Sequence, residues 1–329
     1  MRALTLGASM KHLSTAAVAA AGLALAVLLP ASSAQALNTR SFVSGHGSDA
    51  NACTLAAPCR TLAVAFAQTS AGGEIDVLDA AGYGALTIDK AISIINDGVG
   101  TAAVLVPSGG TGITINAGAS DVVSLRGLTV DGTGTGTTGI QFNSGKFLSI
   151  ENCVIRNVTD RGIKFDTNLT ISTLSVSKSL IENNNVGISI SPGIDLGTVR
   201  AVISRSEVNN NAGTGIVVSG SNSASANSKV KATVYDSVVA RNGFAGIFAL
   251  TSAIHSPTTV MVFHSVVADN AYGLRVDGVG ATMRAGQTMV TGNGSGWFTI
   301  NSGVLQSYTD NYIDGNDSDE TAPPTTARK

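Results

Sequence analysis

A short sentence of residues, repeated about eight times between Leu125 and Asn316, limits what this chain can fold into. Its last apolar position is filled in turn by Val130, Ile155, Ile181, Val208, Val239, Val267, Val290 and Ile313, with 23 to 31 residues between successive copies. Three places later most copies carry an Asn (Asn184, Asn211, Asn242, Asn270, Asn293, Asn316), and Asn157 comes one place early. A Gly with an apolar partner follows: Gly139-Ile140, Gly162-Ile163, Gly187-Ile188, Gly215-Ile216, Gly246-Ile247, Gly273-Leu274 and Gly296-Trp297. A period of this length belongs to a solenoid, in which one copy buries its apolar side chains only by stacking on the next.

The other columns of the repeat say which side chains point inward. Five residues before each anchor stand Leu125, Ile150, Val176, Ile203, Val234, Val262 and Ala285; two before stand Leu128, Cys153, Ser179, Ser206, Ser237, Ser265 and Thr288. The second column is small and mostly hydroxylic, which suits an interior line where each hydroxyl bonds a neighbour or the backbone. Cys153 falls in that line and reads as core. An Asn at a turn tolerates the left-handed conformation, and stacked Asn side chains can satisfy one another from copy to copy. A residue that recurs in nearly every copy is scaffold rather than catalyst. The Gly before each Ile supplies a bend that a Cβ would resist.

The ends of the chain differ from the middle. Residues 1–36 read as a secretory signal, with Arg2 and Lys11 at a basic start, an apolar run from Ala16 to Leu29 and a small-x-small site at Ala34-Gln35-Ala36. That run is shorter than the roughly 20 residues a spanning helix needs, so no membrane span is expected in the mature chain. Residues 37–74 read as a strand, a turn-rich loop and a helix from Arg60 to Gln68. Cys53 and Cys59, six apart, are expected to close a small disulfide clip around Thr54 to Pro58. A metal site is the rival, but no further thiol or His lies at ligand spacing. An uncovered first turn would template aggregation, so the helix, stapled by the clip, is expected to cap the solenoid. The repeat region runs over 75–316, and the polar tail, 317–329, is expected to be disordered.

Charge excludes one class of partner. The formal net charge is −2, and removing Arg2 and Lys11 with the leader leaves 18 Lys and Arg against 22 Asp and Glu. No basic stripe remains to neutralise phosphates, so nucleic acid is not an expected partner.

This pattern resembles the right-handed parallel β-helix of the pectate-lyase-like superfamily. The opening is similar to that of secreted bacterial β-helix proteins, in Phe42-Val43-Ser44, Gly47-Ser48-Asp49, Pro58-Cys59-Arg60-Thr61-Leu62, Gly72 to Val77 and Gly82-Tyr83-Gly84. The resemblance implies an all-β, single-stranded solenoid with an N-terminal capping helix, exported to the periplasm or beyond, and acting on an extracellular or cell-surface glycan. It does not carry the family's catalytic motifs with it. Of the polygalacturonase motifs, only Arg161-Gly162-Ile163-Lys164 is similar to Arg-Ile-Lys, with a Gly intruding; the Asp-Pro-His of alginate epimerases is absent. No acid-rich cluster offers calcium its six or more oxygens, and no cofactor or metal is implied.

Alternation places a candidate site. If Ile163 and Phe165, Ile188 and Ile190, Ile216 and Val218, Ile247 and Ala249, and Leu274 and Val276 point inward, the residues between them point out. Lys164, Asp166, Phe248, Arg275 and Asp277 then share one outer face, with Arg161 just before the first pair. The long insertions Ser191–Thr198, Ser219–Ser228 and Leu250–Thr259 follow this same strand, so they are expected to stack into a wall beside it. His255 belongs to that wall. Such a groove suits a hydroxyl-rich or acidic chain. Two readings stand: a glycan-binding protein without catalysis, and a lyase, epimerase or hydrolase of polysaccharides in which Lys164 or Arg275 takes a proton. Asp166 and Asp277 lie four turns apart, about 19 Å at the ~4.8 Å strand spacing, too far for a glycosidase pair. The oligomeric state has no signature in the sequence.

Overall fold

Each copy of the repeat carries three runs in which every second side chain is apolar, and each run is a strand. In the coil that begins at Val122, strand Val122–Arg126 buries Val123 and Leu125, Leu128–Asp131 buries Leu128 and Val130, and Thr138–Ser144 buries Ile140 and Phe142. The next copy lies parallel and in register, with Ile150 beside Leu125, Ile155 beside Val130 and Ile163 beside Ile140. The computed structural model describes residues 37–167, 169, 171–193, 198–223, 228–318 and 321–328, and the expected signal, 1–36, lies outside them. Among the described residues the copies build three parallel sheets, of eleven, ten and nine strands, around one core. The sheets are called first, second and third here, in the order in which the coil beginning at Val122 visits them.

Polar lines run through the interior as the small columns imply. Ser179 Oγ accepts from Cys153 N–H at 3.1 Å, Ser206 Oγ from Ser179 N–H, Ser237 Oγ from Ser206 N–H and Ser265 Oγ from Ser237 N–H, each at 3.2 Å. Each of these hydroxyls donates to the carbonyl two residues back, at 2.8 to 2.9 Å. Cys153 is buried in the same line, and burial pushes its thiol up to about 12, so it is an inert core thiol.

A second line is made of amides. Asn184, Asn211, Asn242, Asn270 and Asn293 each donate Nδ2 to the Oδ1 of the next, ending on Asn316, at 2.9 to 3.1 Å. The left-handed residue is not the ladder Asn, as the turn chemistry suggested, but its predecessor: Asn183, Asn210, Arg241 and Asp269 have φ between 54° and 56°. One such residue bends the chain from the second sheet to the third and frees the following Asn to point inward. Asn157 is early for the same reason. It is itself the left-handed residue (φ 58°), and Val158 fills the ladder place in that coil, its N–H donating to Asn184 Oδ1 at 3.2 Å. The corner from first to second sheet also turns on a single left-handed residue, among them Asn152, Lys178, Arg205 and Asp236. The repeated glycines serve close approach rather than a special φ. A Cβ on Gly215 would come within 2.8 Å of Asn242 Nδ2, Gly246 O and Val239 Cγ1.

The first strand, Asn38–Val43, has its outer edge covered by the clip. Phe42 N–H donates to Cys53 O, Ser44 N–H to Cys59 O, and Cys59 N–H to Phe42 O, at 2.9 to 3.0 Å. The Cys53–Cys59 disulfide is formed. The helix Leu62–Gln68 starts at Thr61, whose hydroxyl accepts from Val64 N–H, and it buries Leu62, Ala65 and Phe66 against strands Asn38–Val43, Thr69–Val77 and Leu86–Ile88. Covering the strand edge, expected of this helix, thus falls to the clip. At the other end, residues 321–328 run beside strand Val304–Ser307: Ser307 N–H donates to Pro324 O at 2.8 Å, and Thr326 N–H to Ser307 O at 2.9 Å.

Candidate outer-face binding site

From Val122 to Thr291, the corner from first to second sheet takes one or two residues and that from second to third takes three to six, so the long insertions collect at the remaining corner, between the third sheet and the first. Two of the three long loops meet there. Ser256 N–H donates to Ser223 Oγ at 3.0 Å, and the two hydroxyls lie 2.5 Å apart. His255 Nδ1 lies 2.5 Å from Ser223 O, so this ring ties one loop to the other. In the first loop, residues 194–197 lie outside the described residues.

The outer face of the third sheet has two unlike halves. In register across it stand Thr114, Gln141, Lys164, Ser189, Val217, Phe248, Arg275 and Phe298. The early half is polar. Gln141 Nε2 donates to Asn143 Oδ1, and Asn143 Nδ2 to Asn116 Oδ1, both at 2.8 Å, beside half-buried Lys164 and Asp166. Among the described residues Lys164 and Asp166 do not form an ion pair, and Asp166 Oδ1 is buried without a partner. Arg161 pairs with its neighbour Asp160 at 2.5 Å.

The late half is aromatic. The Arg275 guanidinium lies over four rings, 4.9 Å from the centroids of Phe244 and Tyr272 and 5.2 Å from those of Phe248 and Phe298. Phe244 stands edge-on to both Phe248 and Tyr272, at 6.0 and 5.6 Å. A chain with nine Phe, five Tyr and one Trp has placed four of these rings on one outer patch. Arg275 therefore faces rings instead of Asp277, whose carboxylate accepts from Asn301 Nδ2 at 2.8 Å. Lys164 and Arg275 are four coils apart, about 19 Å, so one small ligand cannot touch both while an extended chain can.

Three of these rings, Phe244, Tyr272 and Phe298, were not singled out from the sequence. Their signal lies in the spacing: Phe244 and Tyr272 are 28 residues apart, as are the anchors Val239 and Val267. A row of cations on the first sheet also escaped notice. Arg200 lies in register with Lys231, and Lys229 shares the exposed face of the same strand. No group of three or more His, Cys, Asp or Glu side chains gathers as metal donors among the described residues.

Comparison with known proteins fits this coil. No protein-family model and no curated protein matches the chain. Among solved structures it is similar to pectate lyase Pel9A, with 14% identity and a TM-score of 0.61 over 86% of this chain and 79% of that one. It is equally similar to the alginate lyase from Paenibacillus sp. str. FPU-7, with 14% identity and a TM-score of 0.60 over 85% and 97%. A structure of XylC with xylose follows at 10% identity and 0.51, over 82% and 65%. The fold is a right-handed parallel β-helix, shared with these lyase structures. At such identities the likeness concerns the fold, and the functional reading rests on this chain's own residues.

Proposed function

We propose that the protein is exported and binds an extracellular polysaccharide along the outer face of its third sheet, without cleaving it. The observation that carries this reading is the aromatic patch around Arg275, continued by the amide and charged row of Asn116, Gln141, Asn143, Lys164 and Asp166. Rings stack on the apolar faces of sugars and fixed polar groups meet their hydroxyls. The formed Cys53–Cys59 disulfide suits an oxidising compartment. Among the described residues no helix is long and apolar enough to cross a membrane. The likeness in fold to a pectate lyase and an alginate lyase supports a polysaccharide as the ligand class.

Affinity electrophoresis through gels cast with different polysaccharides tests the reading. Phe248→Ala, Arg275→Ala and Lys164→Ala are each expected to weaken retention while melting stays nearly unchanged, because all three sit on the outer face. Unchanged retention of all three variants on every polysaccharide that holds the native protein refutes the site. The catalytic reading is favoured by one observation, the unpaired and half-buried Lys164 and Asp166 side by side. Incubation with polyuronates, followed by absorbance of unsaturated ends and by a reducing-end assay, separates it from binding alone.

A further inference from the structure

The C-terminal residues roof a cavity of about 800 Å³ on the outer face of the first sheet, away from the face described above. Met261, Phe263 and Tyr308 give it apolar walls, and Thr326, Ala327 and Arg328 close one side. The space between the two rings exists because Gly286 stands between Phe263 and Tyr308. A Cβ there would come 3.2 Å from Tyr308 Cδ2 and 3.5 Å from Phe263 Cδ2.

One charged group in this cavity lacks a partner: half-buried Arg284 has neither an ion pair nor a hydrogen bond among the described residues. Asp310 does not supply the missing anion. Its carboxylate pairs with Arg328 and accepts from Gln287 N–H at 3.1 Å. The lining therefore holds two guanidinium groups against one carboxylate and is left with one uncompensated positive charge.

We propose that this cavity binds a small aromatic carboxylate. The carboxylate meets Arg284, whose fork of N–H donors fits it bidentately. The ring lies against Phe263, Tyr308 and the Met261 thioether. The volume falls within the range of small-molecule pockets. Arg328, tied to Asp310, holds the tail over the bound molecule.

The chain carries its own reporter. Trp297, its one Trp, donates its indole N–H to Thr321 O at the start of the tail segment, at 2.7 Å. Titrating benzoate into the full chain is expected to change Trp297 fluorescence saturably, with one-to-one binding by calorimetry. Arg284→Ala is expected to weaken it roughly tenfold or more, the loss of a charge-assisted pair. A second readout, melting temperature, confirms that the variant folds. The proposal is overturned by absence of calorimetric binding, by equal affinity of Arg284→Ala, or by benzyl alcohol or glucuronate binding as tightly as benzoate.

Discussion

Replacing Asn242 by Ala breaks the amide ladder at its centre, and the structure sets the size of the effect. The Asn242 side chain is fully buried, accepts from Asn211 Nδ2 at 2.9 Å and from Asn211 N–H at 3.2 Å, and donates to Val208 O at 3.1 Å and to Asn270 Oδ1 at 2.9 Å. After the change Asn211 Nδ2 keeps Ile181 O, at 3.4 Å, and Asn270 Oδ1 keeps the Asn242 N–H, at 2.9 Å. The buried Asn211 N–H is then left with no other hydrogen bond among the described residues, whereas Val208 stays in the parallel ladder beside Val239. At about 1–3 kcal/mol for an orphaned buried group, with a small cavity added, a loss of roughly 3 kcal/mol is expected. Urea unfolding followed by circular dichroism measures it. Asn210→Gly is the control: this residue is exposed and left-handed (φ 55°), a conformation Gly adopts freely, so its cost is expected to stay within about 0.5 kcal/mol. If Asn242→Ala is as mild as Asn210→Gly, the ladder does not hold the coils and the reasoning fails.

Other consequences are as direct. Gly215→Ala puts a methyl 2.8 Å from three atoms of the next coil and is expected to cost about 1–3 kcal/mol in the same unfolding assay, whereas Gly82→Ala, which meets only Leu105 Cδ1 at 4.0 Å, is expected to be near neutral. Cys53→Ser opens a clip of sequence separation 6, worth about 2 kcal/mol by loop entropy, so reductant should lower the melting point of the native protein and leave the variant unmoved. Burial alone would raise the Asp131 carboxyl, but the Thr133 N–H, the Asn157 amide and Arg156 outweigh it and hold it below its ordinary 3.8. Its contribution is complete above the unfolded value, near pH 4, and is lost as pH falls through the lower folded value. Asp131→Asn is therefore expected to flatten the melting temperature against pH below about pH 4; an unaltered acid limb contradicts this.

What the sequence revealed and what it hid have physical causes. Columns that recur in identity, such as Ser179, Ser206 and Ser237, were legible because stacking demands like residues in like places. The left-handed bends were not, because stacked neighbours force that conformation on Asn183, Arg241 and Asp269 alike, so no single residue type marks it. The conspicuous Asn beside each bend drew the turn assignment one place too far. The outer face of the third sheet was readable from alternation, since Ile163 and Phe165 had to be inside. Its aromatic character was not, because Phe244, Phe248, Tyr272 and Phe298 come from three coils and gather only when those coils are in register. Loop length told where the wall stands, but not that His255 joins one loop to another.

Hydroxyl-radical footprinting of the native protein, with and without a polysaccharide that retains it, tests the binding face most directly. Phe244, Phe248, Tyr272 and Phe298 are expected to be protected together, while outward residues of the first sheet such as Phe263 react as before. Uniform reactivity of the four rings in the presence of bound polysaccharide, or protection confined to another face, contradicts the account.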